Sequence, residues 1–174
     1  VDPRTVAARP TPEGVRLEPL SRLVHETPDW FERLYDMFTV AVSDAPFPIE
    51  ERPTPPDAYR TRVIDSPTAD LDATLIATDG ADWVGFTTLR PLAADPARWS
   101  QMLTGVKPSH RGSGIATAHK RQGLRVVARK GATSVGTMNH EQNIGIRTSN
   151  ERLGFEPTRT IHLMVNRLTA RLHA

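Results

Sequence analysis

The chain has 174 residues, 38% of them hydrophobic, 24% charged and 6% aromatic, with a formal net charge of +2 and no cysteine. One domain of this length can bury a core, and the missing cysteine excludes disulfides, thiolate metal sites and a cysteine nucleophile. With no apolar run of about 18 residues and no charged-then-apolar leader, a soluble cytoplasmic protein is expected.

In chain order, residues 1–14 are rich in Pro, Ala and Thr and read as a flexible leader to a single domain over 15–174. Val15-Arg16-Leu17-Glu18-Pro19 alternates as a first strand. Pro28-Asp29 opens a helix over 30–43 with Phe31, Leu34, Tyr35 and Phe38 on its apolar face, and Trp30 and Tyr35 as core or as lining of a substrate site. Five prolines between Pro46 and Pro56 make a stiff loop, followed by a short helix over 57–64. Strands are expected over 71–77 and 82–89, joined at Asp79-Gly80, and then over 99–106.

The stretch Leu103-Thr104-Gly105-Val106-Lys107-Pro108-Ser109-His110-Arg111-Gly112-Ser113-Gly114-Ile115-Ala116 is the most informative of the chain. Gly112 and Gly114 can take the positive φ of a tight strand-to-helix loop, which points successive N–H groups at one place. The helix expected over 114–130 adds unpaired N–H donors and the positive end of its dipole. Arg111, with Lys107 and His110, supplies side-chain charge, and a pyrophosphate fits such a nest. Along that helix Ala116, Gly123, Leu124, Val127 and Ala128 form an apolar stripe. Lys120 falls on the same stripe, a mismatch unless it snorkels or reaches phosphate. A strand over 133–138 follows, then a helix over 140–153 capped by Asn139, with Asn143, Ile146, Asn150 and Leu153 on one face, and a final strand over 161–167.

Charge is distributed unevenly. Residues 1–95 carry 17 acidic against 9 basic side chains, residues 96–174 carry 3 against 13, and from Pro96 to His140 there is no carboxylate. Two solvated faces of opposite sign would account for this; so would a basic half that holds an anionic cofactor beside an acidic half that faces a cationic amine. Nucleic acid is not expected as a partner, because Lys120, Arg121, Arg125, Arg129 and Lys130 are not interleaved with stacking aromatics.

Arg111-Gly112-Ser113-Gly114-Ile115-Ala116 resembles the acetyl-CoA signature of the GCN5-related N-acetyltransferases. The series Asn139, Asn143 and Asn150-Glu151-Arg152-Leu153-Gly154-Phe155 is similar to the tandem, mycothiol synthase-like members of that family. The resemblance implies an α/β (α+β) fold with a mixed sheet of six to seven strands splayed in the middle and about four helices. It also implies acetyl-CoA or another acyl-CoA as co-substrate, without metal, and acyl transfer to a primary amine of a small molecule, by a monomer or homodimer. Leu103 to Val106, Arg111 to Ala116 and Asn143 would then contact the cofactor, and a backbone N–H near Leu103 or Thr104 would hold the oxyanion.

Many relatives carry a tyrosine acid where this chain has Asn150, and an amide cannot give up a proton usefully. Glu50, Glu51, His110 and His162 remain as proton carriers, with Phe47 and Tyr59 as further candidates for substrate contact. Two other readings stay open: a non-catalytic acyl-CoA-binding domain, which the missing tyrosine supports, and one half of a tandem enzyme, since tandem relatives join two such folds and this chain has one.

Overall fold

The computed structural model describes residues 11–45 and 53–162. The leader's residues 1–10, the loop positions 46–52 with Phe47, Glu50 and Glu51, and residues 163–167 of the expected last strand lie outside the described residues.

Strand β1 (Val15–Pro19) leads through Pro19 into helix α1 (Leu20–Glu26), which the sequence reading passed over. Its seven residues bury Leu20 and Leu23, and the chain turns again before α2 (Trp30–Ser43). Helix α2 buries Leu34 and Met37 against the sheet, and Trp30, Phe31, Tyr35 and Phe38 pack around them. The short α3 (Pro56–Tyr59) continues as a π-helical turn over Arg60–Ile64. Tyr59 is only 2% exposed and its ring lies 4.2 Å from that of Phe38, so it belongs to the core and cannot meet a substrate, as had been expected of it.

Strands β2 (Thr74–Asp79), β3 (Asp82–Leu92) and β4 (Asp95–Val106) form an antiparallel meander on β1, and β5 (Ser134–Thr137) adds to β4 in parallel, giving the order β1-β2-β3-β4-β5. A two-residue loop at Gly80-Ala81 joins β2 to β3, with Gly80 at φ 59°. Helix α4 (Ile115–Arg129) is the crossover between β4 and β5 and therefore runs antiparallel to both. Of the expected apolar stripe, Gly123 and Val127 are buried, Ala116 and Leu124 are half-buried and Ala128 is exposed. A Cβ on Gly123 would stand 2.6 Å from Leu89 Cδ1, so the glycine is what lets α4 lie this close to β3.

The fold class is the mixed α/β arrangement the sequence implies, with five strands and five α-helices among the described residues. Ile161 and His162 stand in no strand. Helix α5 (Ile144–Arg152) begins four residues later than expected, because Asn143 and not Asn139 is its N-cap, accepting from the Ile146 N–H at 3.2 Å. None of the described helices is long and apolar enough to cross a membrane.

The sheet opens at one place. β4 and β5 pair from Arg98↔Ser134 to Gln101↔Thr137, where β5 ends, while β4 runs on to Val106. Over Met102–Val106, β4 pairs with β3 on one side and with no described strand on the other.

Candidate functional site

The opening between β4 and β5 is the floor of a cleft of about 1180 Å³, walled by the start of α4, the segment after β5 and the inner face of α5. Leu103, Thr104, Gly105, Val106, Arg111, Gly112, Ser113, Gly114, Ile115, Ala116 and Asn143 all line it. The structure thus brings together every described residue that the motif marked for the cofactor.

At one end of the cleft lies the glycine loop. Gly112 and Gly114 adopt φ of 75° and 94°, values that side chains with a Cβ rarely take. A Cβ at either glycine would meet no other atom within 4 Å, so the loop presents open backbone. Gly114 is the N-cap of α4 and no side chain caps that helix, so the first-turn N–H groups remain for a ligand. Ser113 turns its hydroxyl to the His110 carbonyl at 2.5 Å.

Arg111 is arranged differently from a free cation. Its Nε donates to the Val106 carbonyl at 3.0 Å and its guanidinium is bonded to Asp44 at the end of α2. The side chain therefore ties the glycine loop to the end of β4 and to α2 before it contributes charge. His110 bridges Ser109 at 2.8 Å and Asp79 at 3.5 Å, at the mouth of the cleft. Lys107 is half-buried and donates its backbone N–H to Val84. His162 is exposed at the last described position.

Where β4 and β5 part, Gln101 lies buried and lines the cleft. Its Nε2 donates to Thr104 Oγ1 at 2.7 Å and Thr87 Oγ1 at 3.1 Å, while its Oε1 is buried without a partner among the described residues. Such an acceptor costs free energy until a donor reaches it. The sequence reading missed Gln101, whose only signal was a long polar side chain in a strand interior.

Deeper in the cleft Lys120 is 2% exposed. Its Nζ donates to Asn150 Oδ1 at 2.7 Å, and Asn150 Nδ2 donates to Asn139 Oδ1 at 2.8 Å. Lys120 is therefore neither a snorkelling side chain nor extended toward the glycine loop. Its ammonium also stands 6.0 Å from the Phe155 ring centroid, and burial pushes its pKa down to about 8. Asn150, 5% exposed, stands behind Lys120 instead of on the lining of the cleft. The neighbouring α5 hydroxyl, Ser149, is bonded to Thr117 of α4 at 2.9 Å.

The lining is strongly basic. Arg111, Lys120, Arg121 and Arg152 contribute cations and Asp44 is its only carboxylate among the described residues. A polyanion is the ligand such a surface accommodates.

No family model and no curated protein matches the sequence. Solved structures do. An aminoglycoside N-acetyltransferase in complex with CoA is 16% identical over 88% of this chain and 94% of its own, with a TM-score of 0.60. The diaminobutyrate acetyltransferase of Paenibacillus lautus, in complex with its substrate and coenzyme A, is 20% identical over 78% and 71%, with a TM-score of 0.56. The NatC complex bound to Gag peptide and CoA is 17% identical over 83% and 86%, at 0.65. This is the N-acetyltransferase fold. In the acetyltransferase fold of this chain, the break in the sheet, the glycine loop and the start of the crossover helix face one cleft.

Proposed function

We propose that the protein is an acyl-CoA-dependent N-acyltransferase that passes an acetyl or other acyl group to a primary amine of a small molecule. The observation that carries the reading is the loop Arg111–Ala116: two positive-φ glycines and an uncapped helix N-terminus open onto a basic cleft. The donor set fits a pyrophosphate, and the edge of Met102–Val106 that no described strand pairs, with the Gln101 Oε1 that no described donor meets, fits an amide-bearing arm laid beside the strand.

Acyl-CoA supplies the activated thioester. The backbone N–H groups of Gly112 to Ala116 bind its phosphates, and Asn143 borders the same space from the cap of α5. The backbone of β4 at Leu103 and Thr104 orients the thioester and offers an N–H to the developing oxyanion. An amine acceptor must lose its proton before it attacks, since an alkyl ammonium has a pKa of about 10.4. Glu50 and Glu51 are proposed for that task, and Asn150 as a residue that acts from behind the lining through its bond to Lys120. The solved structures with an aminoglycoside or diaminobutyrate acetyltransferase support a small amine, whereas NatC holds a peptide. The asparagine series from Asn139 to Asn150 with Leu153-Gly154-Phe155 supports a place near the mycothiol synthase-like acetyltransferases.

The test is thiol release from acetyl-CoA across a panel of amines. Because the chain has no cysteine, every thiol detected is that of CoA. Release above the buffer rate with one amine establishes the reading; CoA binding without release for any amine would leave a binding domain.

A further inference from the structure

Lys120 is a buried cation of the cleft to which the transferase reading gives no task. A lysine at 2% exposure with an amide for its nearest partner is costly, since an ammonium out of water is normally balanced by a carboxylate. Burial is what lowers its pKa. Its charged and titratable neighbours along α4 are His119 and Arg121; the cleft it lines also carries His110, Arg111, His140, Arg152 and the carboxylate of Asp44, and Glu151 adjoins its partner Asn150 in the chain.

Position adds the second argument. Lys120 lies six residues into α4 from Gly114, roughly 9 Å along the axis at the usual helical rise. Gly85, opposite Val106 in the sheet, faces Ile115 and His119, and Leu89, opposite Gln101, faces Gly123, so Lys120 falls between those two levels. It thus stands over the stretch of β4 that no described strand pairs on its far side, and it lines the cleft. The phosphate-binding loop lies a helix turn and a half away.

Building on the transferase reading, we propose that Lys120 is the acid that protonates the departing CoA sulfur, with the Asn150–Asn139 amide pair as its positioning residues. The amine nitrogen forms the new C–N bond at the acyl carbon and releases its surplus proton to water. The C–S bond breaks with its electron pair going to sulfur, the proton of Lys120 Nζ moves to that sulfur, and Lys120 recovers a proton from solvent. An acid near 8 is well matched to a thiol, whose pKa is about 8.5. The task that relatives give to a tyrosine at the position of Asn150 passes here to the lysine that Asn150 holds.

The experiment compares wild type with Lys120→Met and Lys120→Arg. Bound CoA is titrated by its thiolate absorbance against the desulfo analogue, alongside calorimetric CoA affinity, melting temperature and thiol release. Wild-type protein is expected to ionise the bound thiol about tenfold more readily than Lys120→Met, with CoA affinity within threefold and a melting temperature no lower in the variant. Lys120→Arg keeps the charge without a usable acid, so it should hold the thiolate yet lose thiol release by about 100-fold. Equal thiol titration in wild type and Lys120→Met, unimpaired release in either variant, loss of CoA affinity in Lys120→Met, or an acetyl adduct on Lys120 would each overturn the assignment. A wild type that does not bind CoA at all would remove the transferase reading and this one with it. A wild type that binds CoA normally while the variant leaves the titration unchanged removes only the role of Lys120.

Discussion

His119 faces the sheet from α4 with no exposure at all and neither ring nitrogen partnered among the described residues, and a Cβ at Gly85 would touch its Cε1 at 2.9 Å. Burial pushes its pKa down to about 3 from an ordinary value of 6.5. The folded chain therefore binds fewer protons than the unfolded one between those values, so stability is full above pH 6.5 and falls as the pH drops toward 3. At pH 5 the loss is about 2 kcal/mol. Denaturant melts at pH 7 and pH 5 should differ by that amount, and His119→Leu should remove this part of the difference. A variant with the same pH dependence as wild type would show that other groups carry it. Lys120 acts on the alkaline side: with its pKa lowered to about 8, stability should rise with pH between roughly 8 and 10.5 and be flat below, a slope absent in Lys120→Met. Its place on an apolar stripe was visible in the sequence as a mismatch. Its meaning was not, because the amide that holds it comes 30 residues later.

Among the elements, the loop before α4 was legible because its demand is local: positive φ at Gly112 and Gly114 follows from their place between a strand and a helix, whatever packs around them. Valine at either position should cut CoA affinity at least tenfold in calorimetry through strain in the loop, and unchanged binding in both would place the phosphates elsewhere. The start of α5 was misread for the opposite reason. Asn139 and Asn143 are equally good caps in isolation, and a long-range contact decides between them: Asn139 is taken by Asn150, which leaves Asn143 to cap. Alanine at 143 should cost about 1 kcal/mol of stability and weaken CoA binding, since the same residue lines the cleft. A melt equal to wild type would contradict the cap. Helix α1 escaped notice because seven residues following a proline carry little periodic signal.

At the scale of the molecule, the cleft is where two parts of the chain meet. Helices α1 and α2 pack on the meander around Ile76 and Phe86, while α5 is attached through α4, by contacts such as Thr117 to Ser149 and Lys120 to Asn150. Arg111 with Asp44 and Lys130 with Asp70 and Asp72 tie the two ends of α4 back to the N-terminal half. A ligand lying between β4, the glycine loop and α5 touches both parts, so its binding free energy must appear as stability of the whole. At CoA concentrations 100 times Kd the gain is about 2.7 kcal/mol, which for a chain of this size corresponds to a rise in Tm of roughly 5–10 °C. Hydrogen exchange should slow most in α5, which is attached through α4, and in residues 138–143, which stand in no helix or strand. Protection confined to the glycine loop, with α5 exchanging as before, would mean that the ligand does not bridge the cleft and that Asn143 and Lys120 stand apart from it.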